Sequence, residues 1–202
     1  MSLSDYQRKR NFKKTPEPAG IKKTQKKELI FVVQRHKARH LHYDLRLEMQ
    51  GVLKSWAIPK GPSMNPADRR LAMMVEDHPY DYRTFEGIIP EGNYGAGIVE
   101  IWDQGTYIPL TSDKKKPTTE NVLVKWIKKG SLKFILQGKK LKGEFALVKI
   151  KPRDDHEEDN VWLLIKHNDE FAVHSPYNSE DLTPPSSLIT EELKKKKKKE
   201  GK

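Results

Sequence analysis

The stretch RHKARHLHYDLRLE, from Arg35 to Glu48, alternates polar and apolar residues so regularly through its second half that it reads as a β-strand. Successive strand side chains point to opposite faces. Leu41, Tyr43, Leu45 and Leu47 then share one side, and His42, Asp44, Arg46 and Glu48 the other. The apolar set packs on a core while the polar set forms a row. The preceding run, ELIFVVQRH, ends in His36, which falls on the same face as Gln34, Val32 and Ile30. Two histidines and one carboxylate are what a facial three-ligand metal site with open positions requires. Taken alone, a histidine is usually a surface or satisfied core residue, and alternating charge usually marks a solvated sheet face. The downstream neighbours favour the metal. They are Lys60 in AIPKGPS, Arg69 and Arg70 in ADRRLA, and His78 with Tyr82 in VEDHPYDY. Each borders an apolar run, so their polar ends are expected to gather at one end of a barrel or inside it. Cationic donors around an open-sided metal suit phosphate oxygens.

Strand-like runs recur along the chain, at 28–36, 42–49, 52–58, 71–77, 97–102, 105–110, 131–137, 143–150 and 161–167. Gln50 and Gly51 turn the second run into the third as a hairpin. EGIIPEGNYGAG is rich in glycine but lacks the Gly-Lys-Ser/Thr of a phosphate-binding loop, and reads as a bent connection. One helix is expected from Thr119 to Lys129, where Val122 with Trp126 and Leu123 with Ile127 are spaced i,i+4 and Gly130 stands at the C-terminal cap. Many strands, one helix and regular turn signals indicate a mainly β protein, a closed or nearly closed barrel. The acidic DDHEED segment reads as a solvent loop.

The net charge of +11 sits at the ends. Residues 1–28 carry nine Lys or Arg against three acids and residues 194–202 seven Lys against one Glu, so each end contributes +6 and the body sums to −1. A nearly neutral body with basic ends suggests arms that hold a polyanion while the body acts on it. The expected organisation is a basic extended arm at 1–27, a barrel domain at 28–175 and a loosely held tail at 176–202. Without cysteine there are no disulfides, thiolate ligands or cysteine nucleophile, so any metal sits on nitrogen and oxygen. No apolar run has membrane-spanning length, and a cytoplasmic location without membrane contact is the default.

The stretches RKRNFKKTPEPAG, FVVQRHKARHLHYDLRLEMQGVLKSWAIPKGPS, RRLAMMVEDHPYDYRTFEGIIPEGNYGAGIVEIWDQG and LKGEFALVKI together resemble the 3′-phosphoesterase domain of bacterial DNA ligase D, in its stand-alone form. The resemblance implies a compact eight-stranded β-barrel with one or two flanking helices, and a manganese-dependent enzyme that heals 3′ ends. Such enzymes remove a terminal 3′-ribonucleoside from RNA or from DNA ending in a ribonucleotide, then remove the remaining 3′-phosphate to leave a 3′-OH. Carried over by position, His36, His42 and Asp44 are metal ligands. Arg46, Lys60, Arg70 and His78 contact the scissile phosphate, Tyr82 assists there, and Gln34 and Glu76 support the site. Arg10 and Glu17 belong to the substrate-binding arm, where Asn11 replaces the aspartate common in the family. Because the arm is associated with the ribonuclease step, Asn11 implies slow ribonucleoside removal beside an intact phosphatase step. Partners implied are nucleic-acid 3′ ends, a separate DNA ligase and end-joining proteins. Manganese is the family's metal, whereas the ligand types alone would admit zinc, cobalt or iron.

Two other readings remain open from the residues themselves. A non-haem iron oxygenase also uses His-x-Asp with a distant histidine, for which His167 and His174 are the late candidates. A noncatalytic end-binding barrel would use its aromatic residues as stacking platforms.

Overall fold

The computed structural model describes residues 2–20, 28–110, 120–150 and 160–200. Its strands are β1 (Leu29–Lys37), β2 (Leu41–Met49), β3 (Val52–Ile58), β4 (Arg69–Pro79), β5 (Gly87–Ile89), β6 (Gly97–Pro109), β7 (Ser131–Gly138), β8 (Lys142–Lys149) and β9 (Val161–Lys166). They follow the order β1-β2-β3-β4-β9-β8-β7-β6-β5, and a further pairing of β1 with β6 closes eight of them into an antiparallel barrel. The short β5 adds to the start of β6. Flanking the barrel are α1 (Leu3–Arg8), α2 (Glu120–Lys129) and α3 (Leu188–Glu200), with short 3₁₀ turns at Tyr80–Thr84 and Ser179–Leu182.

The hairpin at Gln50 and Gly51 forms as expected. Both residues have positive φ, 53° and 73°, and Met49 pairs with Val52 across them. Positive φ at both central positions matches the right-handed twist of the strands it joins. Helix α2 also forms, and Gly130, at φ 75°, returns its amide to the Ile127 carbonyl at 2.9 Å. Thr119 and the DDHEED segment lie outside the described residues.

The interior belongs to the odd-numbered face of β1 and β2. Phe31, Val33, Leu45, Leu47 and Met49 meet Trp56, Trp162, Phe134 and Phe145 in one core. Trp56 and Trp162 meet edge to face at 5.9 Å, each almost wholly buried. Full burial of a large apolar side chain is worth about 1.5–3 kcal/mol, so this layer dominates barrel stability. The even-numbered face of β1 and β2 therefore points outward.

Three segments differ from the sequence reading. The runs 97–102 and 105–110 are one strand, β6. Across the expected break, Asp103 and Gln104 continue the pairing with β1, and Gly105 pairs with Phe31 and Gly138 on either side, where a Cβ would stand 2.1 Å from the Gln137 carbonyl oxygen. Its glycine permits a close backbone approach. The described part of the N-terminal arm, residues 2–20, is packed rather than extended, since α1 brings Tyr6 to 0% exposure against Tyr82, Phe85 and Leu53 in a second apolar cluster. The C-terminal region is likewise docked: α3 begins with a fully buried Ile189. In both cases one or two apolar residues within polar sequence decide the outcome, and their partners lie far away along the chain.

Candidate metal centre

Strands β1 and β2 pair with His36 opposite His42 and Gln34 opposite Asp44, so this register alone assembles the polar row on the outer barrel face. One ligand atom from each of His36, His42 and Asp44 can be chosen so that all lie within 4.8 Å of one another. His36 Nδ1 is 3.6 Å from Asp44 Oδ2, and His42 Nε2 is 3.8 Å from Asp44 Oδ1. The other nitrogen of each ring faces a backbone carbonyl, His36 Nε2 the Gly95 oxygen at 2.9 Å and His42 Nδ1 the His40 oxygen at 3.0 Å. A carbonyl only accepts, so in the neutral rings these nitrogens carry the hydrogen, and each lone pair is turned toward Asp44. Such carbonyl partners orient metal-binding histidines. The donor set and its aim fit a divalent cation.

Beside the triad lies Arg46, 2% exposed, with all three guanidinium nitrogens engaged. Nε donates to Gln34 Oε1 at 2.6 Å, Nη1 to Ser55 Oγ at 2.9 Å and Nη2 to Asp44 Oδ2 at 3.1 Å. Its plane also lies 4.7 Å from the centre of the Tyr82 ring. Burial opposes ionisation of Asp44, but Arg46 foremost, with His36 and His42, holds the carboxyl well below the usual carboxylate range. Gln34 completes the shell by donating to the Tyr82 and Phe85 carbonyls at 3.0 and 2.8 Å.

Over this face folds the arm. Arg10 donates to Glu17 at 2.8 Å and to Glu76 at 3.0 Å, while Lys9 reaches the second oxygen of Glu76 at 3.0 Å. The Tyr82 hydroxyl donates to Glu17 at 3.1 Å. His78 is enclosed between the Tyr6 and Tyr82 rings, 4.9 and 4.8 Å away. Burial first, then the Arg46 and Arg10 charges, push its pKa well down, so it is neutral. Its Nδ1 donates to the Glu76 carbonyl at 2.9 Å, leaving Nε2 as the acceptor 3.4 Å from Arg10 Nη2.

The structure thus brings together His36, His42, Asp44, Arg46, Gln34, Tyr82, His78, Glu76, Arg10 and Glu17, on the outside of the barrel rather than within it. Lys60 and Arg70 stand apart from this network. They line an open cleft of about 330 Å³ with Leu41, Tyr43 and Tyr177, residues that include the opposite face of β2. Arg70 Nη2 donates to Asp68 and to the Tyr177 carbonyl, each at 2.8 Å. Among the described residues its buried Nε has no partner, and Lys60 is exposed and makes no hydrogen bond or ion pair. Asn11 is also exposed. Its Oδ1 accepts from the Lys13 amide at 3.1 Å, and Arg10 has carboxylate partners elsewhere. The candidates for a distant third ligand do not join the triad: His167 faces Glu144 at 3.4 Å, and His36 occupies that role beside His42 and Asp44.

Sequence reasoning missed several participants. Ser55 shows itself only through its cross-strand pairing with Arg46. Gly95 contributes a backbone oxygen, for which the NYGAG glycines are the only trace. Tyr6 carries no sequence signal, and it packs both on His78 and against the Arg10 guanidinium at 3.8 Å.

Fold and site together define an antiparallel β-barrel protein with a two-histidine, one-carboxylate centre on its outer wall, backed by a buried guanidinium. The model of one family, the DNA ligase D 3′-phosphoesterase domain, matches residues 34–149. The chain is 46% identical over 169 residues to the multifunctional non-homologous end joining protein LigD of Pseudomonas aeruginosa, a match covering 83% of this chain and 19% of that protein. With the multifunctional non-homologous end joining DNA repair protein LigD of Mycobacterium tuberculosis it shares 44% identity over 152 residues, 73% of this chain and 18% of the relative. The LigD protein of Mycolicibacterium smegmatis is 39% identical over 176 residues, 83% of this chain and 21% of the relative. The chain belongs to the DNA ligase D 3′-phosphoesterase domain family, and it spans about a fifth of the length of these curated relatives. Among the described residues no helix is long and apolar enough to cross a membrane.

Proposed function

We propose that this protein is a manganese-dependent 3′-end-healing phosphoesterase, which removes a 3′-terminal ribonucleoside and then the 3′-phosphate to leave a 3′-OH in repair by end joining. The observation that carries the proposal is the convergence of His36, His42 and Asp44 within 4.8 Å beside buried Arg46. His36, His42 and Asp44 hold the divalent ion, which polarises a phosphate oxygen when bound. Arg46 keeps a fixed positive charge at the same place, where negative charge builds up in the transition state. Gln34 orients Arg46 on one side and anchors the Tyr82–Phe85 backbone on the other. His78, neutral and with its Nδ1 hydrogen committed to a carbonyl, offers Nε2 as a proton acceptor or as a hydrogen-bond acceptor for Arg10. Glu76 and Glu17 hold the Arg10 guanidinium, and Tyr82 ties Glu17 to the wall of the site. Lys60, exposed on the neighbouring cleft that Arg70 also lines, supplies a cationic donor to phosphate. The basic ends hold nucleic acid by charge.

The test is phosphate release from an oligonucleotide ending in a 3′-phosphate, with manganese, with zinc or cobalt, and with excess chelator. Release is expected with manganese and is abolished by chelator. No release with any of these metals would overturn the proposal. Specificity between the two steps rests on Asn11, whose amide keeps the shape of aspartate without its charge. Asn11→Asp is expected to speed terminal ribonucleoside removal about tenfold, the worth of roughly 1.5 kcal/mol from one charge-assisted hydrogen bond, and to leave phosphate release unchanged. Both rates are read on one oligonucleotide ending in a single ribonucleotide, and an unchanged ratio would count against a role for this position.

A further inference from the structure

Behind the proposed metal ligands, on the inner face of the same strands, the C-terminal segment grips the barrel mouth. Arg35 on β1 stands opposite Tyr43 on β2 and Glu100 on β6, a row directly beside the His36–His42 and Gln34–Asp44 pairs. Glu180, in the turn Ser179–Leu182, closes on two of the three strands at once. Its carboxylate accepts from Arg35 Nε at 2.9 Å and Nη2 at 2.6 Å, and from the Tyr43 hydroxyl. Ser187 then bridges Arg35 Nη1 at 2.9 Å to Glu100 at 2.7 Å, and the Ile189 amide at the start of α3 donates to the same Glu100 carboxylate at 3.2 Å. The turn is itself anchored, because Ser179 Oγ donates to the Pro62 carbonyl at 2.5 Å in space left open by Gly61.

Arg35 is 2% exposed although it is charged. A buried guanidinium needs its carboxylate, so the segment is held there by more than chance contact. His36 is covalently next to Arg35, and Tyr43 lies between His42 and Asp44. Any shift of β1 against β2 would change the separation of the three ligand groups, and Glu180 ties those strands together from behind. Residues 179–190 fall outside the span 34–149 that the family model matches.

We infer that Glu180 is a positioning residue for the metal centre, acting through Arg35 and Tyr43 to hold β1 and β2 at the spacing that the ion requires. The inference rests on the metal reading proposed above. The experiment is titration of the purified full chain with manganese alone, followed by the electron paramagnetic resonance signal of the free ion, with phosphate release measured in parallel. Glu180→Ala is expected to weaken manganese binding about 10- to 100-fold, the range for groups that orient metal ligands, while the rate at saturating manganese recovers. Asp181→Ala, in the same turn but with its carboxylate accepting from Asn178 and not from Arg35 or Tyr43, keeps wild-type affinity. Tyr43→Phe, which removes a single hydroxyl, weakens binding in the same direction and keeps the proposal testable if Glu180→Ala fails to fold. Unchanged affinity in folded Glu180→Ala, or in Tyr43→Phe when the first variant does not fold, would overturn the inference alone. If the wild type itself bound no manganese, the metal reading would fall and this inference with it.

Discussion

Asp44→Ala is expected to lose manganese binding and 3′-phosphate release together, each by roughly a hundredfold or more, since even outer partners of metal ligands are worth 10- to 100-fold. Asp44 lies within 4 Å of both histidine rings, and it is an anion that faces Arg46. Its removal takes away both the only negative ligand of the triad and the counter-charge that keeps the guanidinium edge in place. Asp44→Asn separates these contributions, because the amide oxygen still accepts from Arg46 but brings no charge to the ion. Binding by titration and turnover at several manganese concentrations give the two readouts. A folded Asp44→Ala protein with full phosphatase activity would remove the triad from the mechanism.

Arg46→Ala is expected to cost about 3–5 kcal/mol of stability, the scale for removing one partner from a buried charge pair, and about 10²- to 10³-fold in turnover, the scale for one fixed electrostatic donor. The substitution takes the guanidinium donor away from Asp44, Gln34 and Ser55 at once. Arg46→Lys restores a positive charge but not the three-way fork, since an ammonium is a single point and the three acceptors lie in different directions. It should recover part of the stability and little of the rate. Urea melts and turnover at saturating manganese measure these effects. A melt within roughly 0.5 kcal/mol of the parent, the scale of an ordinary surface change, would show that Arg46 is not the keystone of this face.

Much of the barrel was legible because strand periodicity is a local signal. The alternation from Leu41 to Glu48 placed His42, Asp44 and Arg46 on one face, and the parity of ELIFVVQRH put His36 with them. Periodicity assigned Leu45 and Leu47 to a core but did not say whether the polar row lies inside or outside the barrel. Only the closed sheet, with Leu45 and Leu47 in the interior cluster, places Asp44 on the outer face. The docking of Tyr6 on His78, of Gly95 on His36 and of Glu180 on Arg35 joins residues 72, 59 and 145 positions apart. No window of sequence contains such a pairing. The break expected at 103–104 is absent for a related reason, because the continuity of β6 is set by its pairings with β1 and β7 and not by its own sequence.

The outward placement of the reactive row has an evolutionary consequence. Along β1 and β2 the residues that bury the barrel interior and the residues that carry chemistry occupy alternate positions of the same two strands. A change at Gln34 or Arg46 leaves the hydrophobic layer beneath Leu45 and Leu47 closed, but it breaks the buried polar network that those two side chains hold together. Selection on catalysis and selection on core packing act here on interleaved positions of the same two strands, and they meet at Arg46, whose replacement is felt in both.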